Sequence, residues 1–272
     1  MKQEKIYLKD YKVPEFTVAS VQLDFILNED FCRVIAKSRL RKSNKGASLR
    51  LNGEELKLIS LKIDGQTLST DQYQVTDEEL IIPEVPELFS LEIETELQPQ
   101  NNTSLEGLYK SNGIFCTQCE AQGFRKITYF LDRPDVMTSY EVTIEADKAK
   151  YPVLLSNGDR LKVEDLGNGR HKAFWRDPHK KPCYLFALVA GDLGVIRDSF
   201  TTKSGRKVNL EVYAAHGKQD RCHHAMDSIK KSMKWDEDTY GLEYDLNDYM
   251  IVAIDDFNAG AMENKGLNIF NS

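Results

Sequence analysis

Histidine is scarce in this 272-residue sequence, with five in all. The motif H-E-x-x-H, which puts two histidines one helical turn apart to hold zinc, is absent. His223 and His224 are adjacent, so on a helix they point to different sides and read as structural or surface residues. Cysteine is also sparse, and Cys116 and Cys119 form a C-x-x-C pair with no second pair at zinc-finger spacing. Strand-like residues flank that pair, so it reads as two cysteines on a strand rather than a redox motif opening a helix. The segment Met1 to Tyr7 has no apolar signal-type region, and no run approaches the length needed to span a membrane. Positive charge does not dominate either. The net charge is −7 with both signs interspersed, which argues against nucleic acid as a partner. Taken together, the absences point to a soluble cytoplasmic protein with reduced thiols and no membrane partner.

Short alternating segments fill the chain up to about Gly191. Phe16 to Leu27, Val34 to Leu40, Ser48 to Leu51, Leu56 to Ile63, Glu79 to Pro83 and Ser90 to Leu97 each carry the period of two that places one face on a core. Turn chemistry separates them, at Asn28-Glu29-Asp30, Asn44-Lys45-Gly46, Asn52-Gly53, Asp64-Gly65, Asn157-Gly158 and Gly167-Asn168-Gly169. No helix of three turns is expected before residue 191. Residues 1–191 therefore read as an all-β domain, a sandwich or a saddle of curved sheets.

From residue 192 the pattern changes. Tyr184 to Gly191 is a continuous apolar run suited to a strand buried on both faces, and Gly191-Asp192-Leu193-Gly194 is the boundary candidate. Val208 to Ala214 predicts a strand. Between Asp220 and Tyr240, Cys222, Ala225, Met226, Ile229 and Met233 recur at helical spacing, with Gly241 as the C′ glycine. Strands follow at Tyr249 to Ile254 and within Gly266 to Ser272. Residues 192–272 thus read as the opening, left incomplete, of an α+β domain.

Two stretches carry chemistry. Gln118-Cys119-Glu120-Ala121-Gln122-Gly123 precedes an expected aromatic-rich strand at Ile127 to Phe130, and Gln118 and Glu120 share a face if the segment is extended. Asp132-Arg133-Pro134-Asp135 then reads as a turn whose Arg is available to a carboxylate. The other stretch is Ala259-Gly260-Ala261-Met262-Glu263-Asn264, where small residues allow close approach of another backbone and one carboxylate stands among them.

Both stretches resemble those of one family, aminopeptidase N, a zinc-dependent alanyl aminopeptidase of the gluzincin class. Gly260 to Asn264 resembles its exopeptidase motif GAMEN letter for letter, and Gln118 to Arg125 with Tyr129 to Asp135 resembles its other substrate-contacting segment in bacterial form. The resemblance implies that Glu263, helped by Glu120, binds the substrate's α-amine. It implies that Gly260 and Ala261 offer backbone groups to the peptide, within a substrate-binding segment that includes Met262 and Asn264. Gln118 and Ala259 would border the pocket for the first side chain. It further implies a mainly β fold, with residues 192–272 beginning a thermolysin-like domain, peptides with a free N-terminus as partners, and a monomeric full-length enzyme.

The family's zinc motif, general-base glutamate and transition-state tyrosine lie downstream of GAMEN and are missing from these residues. No catalytic residue, metal ligand or bound cofactor is therefore expected here, and the chain is expected to be inactive alone, zinc belonging to the full-length enzyme. The alternative is a naturally short, non-catalytic β-rich protein that keeps a peptide-binding surface. A relative of the epoxide-hydrolase type fits less well, since it carries Gly where Ala261 stands.

Overall fold

Alternation along Phe16–Leu27 sets the first long strand, and a single slip in it is visible in the sequence. Phe16 and Val18 point inward, then the inward set moves to Val21, Leu23, Phe25 and Leu27. A β-bulge between Val18 and Ser20 absorbs the extra residue. The computed structural model describes residues 7–44 and 46–272. Of the expected Asn44-Lys45-Gly46 turn, Lys45 lies outside the described residues.

The first strands are β1 (Phe16–Leu27), β2 (Cys32–Lys42), β3 (Leu49–Asn52), β4 (Lys57–Ile63), β5 (Gln66–Thr67), β6 (Gln74–Val75) and β7 (Glu79–Ile82). They are followed by β8 (Leu88–Leu97), β9 (Gly107–Ser111), β10 (Ile114–Gln118), β11 (Thr138–Asp147), β12 (Val153–Ser156), β13 (Asp159–Asp165), β14 (Arg170–Lys181) and β15 (Leu188–Gly191). The rest of the chain forms β16 (Gly194–Thr201), β17 (Lys207–Ala214), α1 (His223–Tyr240), β18 (Asp248–Ile254), β19 (Ala261–Met262) and β20 (Leu267–Asn271).

Three sheets use strands up to β15. The largest has the order β13-β14-β11-β1-β2-β8-β4-β5, with β1 and β11 parallel at its middle and its other pairs antiparallel. Its other face carries cross-strand ion pairs, among them Lys57–Glu96 at 2.8 Å and Lys62–Glu92 at 2.7 Å. The smaller sheets are β3-β7-β6 and β12-β15-β10-β9. Phe25, Phe124, Tyr140 and Phe186 stack between the layers, with ring centroids 5.4 to 6.4 Å apart. Beside them Lys181 is fully buried, paired with Asp177 at 3.0 Å and lying 3.7 Å over the Tyr140 ring. Burial pulls its ammonium down to about 8.

The remaining strands form the sheet β16-β17-β18-β20-β19. One of its faces holds α1 through Met226, Ile229 and Met233 on Val208, Leu210, Val212 and Ile251. Gly241 ends the helix at φ 67°, as its C′ position demands. Met250, Val252, Ile254, Phe257, Met262, Leu267 and Ile269 belong instead to the core built by the earlier sheets. That shared core fixes this sheet against the β-rich part. Aromatic side chains remain in solvent on α1 and β20, including Trp235, Tyr240 and Phe270.

Two expected strands are corrected. Tyr184 to Gly191 divides into a 3-10 turn at Cys183–Leu185 and the fully buried strand β15. The backbone there is diverted because the Asn157 amide takes the Leu185 carbonyl at 3.0 Å and the Ala187 N–H at 2.7 Å. Ile127 to Phe130 is not a strand either. A 3-10 turn at Phe124–Lys126 leads into consecutive buried residues, and only Phe130 makes an isolated bridge, to Asn52. Without alternating exposure this segment cannot present one face to water, so it packs as a plug.

Candidate peptide-end site

Gln118 is the last residue of β10, reached through a tight hairpin. Asn112 and Gly113 between β9 and β10 have φ of 47° and 83°, the paired positive angles that a two-residue turn requires. The chain then leaves the sheet and folds back, with Gly123 N–H donating to Cys119 O at 2.9 Å. Only glycine allows this return: a Cβ at 123 would sit 2.3 Å from the Gln118 carbonyl oxygen and 2.8 Å from the Gly107 nitrogen. Arg125 closes the segment, its backbone N–H and Nε donating to Asp132 at 3.1 and 3.0 Å. Asp132 also accepts from the Cys183 thiol at 3.0 Å. Arg133 pairs with Asp135 at 2.7 Å, the carboxylate partnership expected of that turn.

The face-sharing expected of Gln118 and Glu120 does not arise, because residue 120 lies in the turn and not on the strand. Gln118 is buried at 3% exposure, Cys119 is wholly buried, and Glu120 projects into solvent. Cys116 and Cys119 are both interior thiols, pushed up by burial, Cys116 to about 12. They are inert packing residues.

The second segment lies on the neighbouring sheet. Ala259 is half-buried against the core, and Gly260 and Ala261 are exposed. The Gly260 carbonyl accepts from Asn271 N at 3.1 Å, while open space surrounds the position a Cβ would take. Met262 is fully buried and pairs with Ile269 across β19 and β20, so its side chain is a core residue. Glu263 is exposed beside it. Asn264 is 1% exposed, and neither its amide nitrogen nor its oxygen has a partner among the described residues; the same holds for Gln118 Oε1. Buried polar atoms are normally satisfied, so these atoms have hydrogen-bonding capacity left for a polar ligand or ordered water, as do those of Arg33, Tyr109, Thr128 and Tyr140.

The segments are tied together at both ends. Ser111 Oγ shares its one proton between the Asp255 carbonyl at 2.9 Å and the Asp256 carboxylate at 3.0 Å. Three residues on, Asn258 Nδ2 donates to Leu105 O at 3.1 Å, near the base of the same hairpin. Residues 255–258 thus run along the hairpin from its turn to its base, where Gly107 pairs with Gln118. At the far end Asn157 Nδ2 donates to Lys265 O at 2.8 Å. Asn157 also holds Ala187, and the neighbouring Leu188 N–H donates to Thr117 Oγ1 at 2.8 Å, one residue from Gln118. Sequence reasoning missed Ser111, Asp256 and Asn157. Only the Asn157-Gly158 turn signal touched them.

Among the described residues no three His, Cys, Asp or Glu side chains gather as a metal-ligand set. His223 and His224 are exposed at the start of α1.

Residues 14–185 match the Peptidase M1 N-terminal domain, and residues 224–272 match the Peptidase family M1 domain. The chain belongs to peptidase family M1. It is 54% identical over 267 residues to aminopeptidase N of Escherichia coli, covering 98% of this chain and 30% of that protein. Aminopeptidase N of Caulobacter vibrioides is 53% identical, over 99% of this chain and 31% of its own length. In structure, 97% of the chain superposes on 32% of a Legionella pneumophila aminopeptidase A, crystallised in complex with aspartic acid, with a TM-score of 0.92 and 36% identity. This family member therefore spans less than a third of the relatives it matches. The family's aminopeptidases are hydrolases, and the chain's mainly β architecture is that of the part of the aminopeptidase A on which it superposes.

Proposed function

We propose that this chain is the amino-terminal part of a cytoplasmic metallo-aminopeptidase and that it supplies recognition of the substrate's free α-amine. Glu263 and Glu120 hold the ammonium group, Gln118 and Asn264 meet the first residue's polar groups, and Gly260 and Ala261 run beside the peptide. The observation that carries this reading is that two exposed carboxylates and two buried side-chain amides, with Gln118 Oε1 and both polar atoms of Asn264 lacking a partner among the described residues, stand on segments tied to one hairpin.

A peptide α-amine titrates near 7.7–8.0, and adjacent carboxylates favour its charged form. Each charge-assisted hydrogen bond contributes about 1.5–3 kcal/mol. The chain is therefore expected to bind Ala-Ala-Ala at least tenfold more tightly than its N-acetylated form at pH 7. The preference should fall as the amine loses its proton above pH 8 and vanish in Glu263→Gln. Calorimetric titration of both peptides checks this, and equal binding of the two by the unaltered chain would refute the reading.

Zinc would supply the hydrolytic chemistry in the whole enzyme. The described residues offer no ligand set for it. Accordingly, the 272-residue chain supplied with zinc is expected to release no amino acid from an alanyl reporter above the protein-free rate. Zinc-dependent, chelator-sensitive release would overturn that expectation.

A further inference from the structure

Asp256 stands in the left-handed region at φ 54°, where a side chain other than glycine or a short polar one is disfavoured. It is exposed, yet its carboxylate accepts from the 4%-exposed Ser111 hydroxyl, which also holds the Asp255 carbonyl. Asn112 Nδ2 and Lys218 Nζ add contacts to the Asp255 carboxylate, at 3.4 and 3.6 Å. These bonds lie at the turn of the β9–β10 hairpin, while Gln118 lies at its other end. The chain between Asp256 and Asn258 covers that hairpin's length before entering Gly260 to Asn264. Where the segment starts along the hairpin is thus set at Ser111 and Asp256, about four strand residues from Gln118, or roughly 13 Å.

We propose that Ser111 and Asp256 are positioning residues. Their clasp fixes residues 257–264 against the β9–β10 hairpin and thereby sets the spacing between the Glu263 and Glu120 carboxylates. The second half of this inference rests on the amine-recognition reading; the first half does not. The left-handed turn, which a short polar residue tolerates, is held to the hairpin by a hydrogen bond whose loss would loosen the start of the segment, upstream of its anchors at Asn258 and Met262.

The test uses the full 272-residue chain and variants chosen to separate the bond from the backbone angle. Asp256→Asn keeps an acceptor and tolerates the left-handed angle, Asp256→Gly keeps only the angle, and Ser111→Ala removes the donor. Two readouts are taken: amide hydrogen exchange along the chain, and the affinity ratio for Ala-Ala-Ala against its acetylated form. Asp256→Gly and Ser111→Ala should each speed exchange at residues 257–264 at least tenfold and cut the affinity ratio at least fivefold. Exchange in β1 and β2 should stay unchanged, and Asp256→Asn should stay within twofold of the parent on both readouts. The double variant should do no more than Ser111→Ala alone, which already removes both of the hydroxyl's contacts. Unaltered exchange at 257–264 in both Asp256→Gly and Ser111→Ala overturns the clasp. Faster exchange with an intact affinity ratio overturns its role in spacing the carboxylates. A parent chain with no preference for the free amine refutes the recognition reading and the spacing role together, while exchange still decides the clasp.

Discussion

Between pH 9 and pH 11 the chain is expected to unfold steeply, because four interior thiols stay protonated only while it is folded. Burial pushes Cys32 and Cys116 up to about 12, and Cys119 and Cys183 well above the usual thiol range. In the unfolded chain each titrates near 8.5. Groups raised on folding contribute their full stabilisation below the unfolded value and lose it as pH rises toward the folded one. Above pH 9 each thiol therefore removes about 1.4 kcal/mol per pH unit, and four remove about 5 to 6. Lys181 works the other way. Its folded value is lowered to about 8, so the unfolded chain binds the extra proton and stability rises between about pH 8 and 10.5. Below pH 10 one opposing group leaves a net loss of about 4 kcal/mol per pH unit. Above it Tyr109, Tyr140, Tyr213 and Tyr244, also raised by burial, add to the loss, enough to consume the whole stability of an ordinary domain within a few units. Urea midpoints at pH 7, 9 and 10, under reducing conditions, measure the slope. Cys32→Ala should flatten it by about a third. A midpoint that does not move between pH 9 and pH 10 contradicts the account.

Replacing Asn157 by Leu should destabilise the chain by at least about 3 kcal/mol, the largest effect expected of a single substitution described here. The side chain is wholly buried and all three of its hydrogen bonds reach other segments, to Leu185 O, Lys265 O and Ala187 N–H. Leu fills a similar volume but strands one donor and two acceptors, each of which costs about 1–3 kcal/mol when left dry. Asn157→Asp should rank with it, since a carboxylate oxygen would then face two carbonyls. Because Asn157 joins the sheet of β12 and β15 to the segment after Asn264, both parts of the chain should unfold together in the parent. In Asn157→Leu, hydrogen exchange at 260–266 should rise ahead of exchange in the large sheet. A denaturation midpoint within 1 kcal/mol of the parent would show that the bonds are dispensable.

Much of the architecture was legible because burial on one face writes itself as alternation. The long strands from Phe16 and Ser90 were readable for that reason, as was α1 from Cys222, Ala225, Met226, Ile229 and Met233. Legibility failed where side chains redirect the backbone. The apolar run at Tyr184 carries no sign that Asn157, about thirty residues earlier, will take its peptide groups. Ile127 to Phe130 looks like a strand by residue type, yet Arg125 and Asp132 close it into a plug. For the candidate site, the motif letters pointed to Gln118, Glu120 and Glu263, but nothing local reveals how the two segments are held. Ser111 and Asp256 are ordinary turn residues until the fold brings them within 3.0 Å of each other.

The large sheet sets a schedule for the chain's synthesis. β1 is laid against β2, and β2 against β8, so these three can assemble once Leu97 has been made. The other edge of β1 is closed only by β11, with Ser20 opposite Ser139 and Ile26 opposite Glu145. At about 5–20 residues per second, the stretch from Leu97 to Asp147 takes several seconds to make. During that interval a twelve-residue strand shows an unpaired edge to the cell. Here the demand for a chaperone is set less by overall stability than by the distance in sequence between two neighbouring strands.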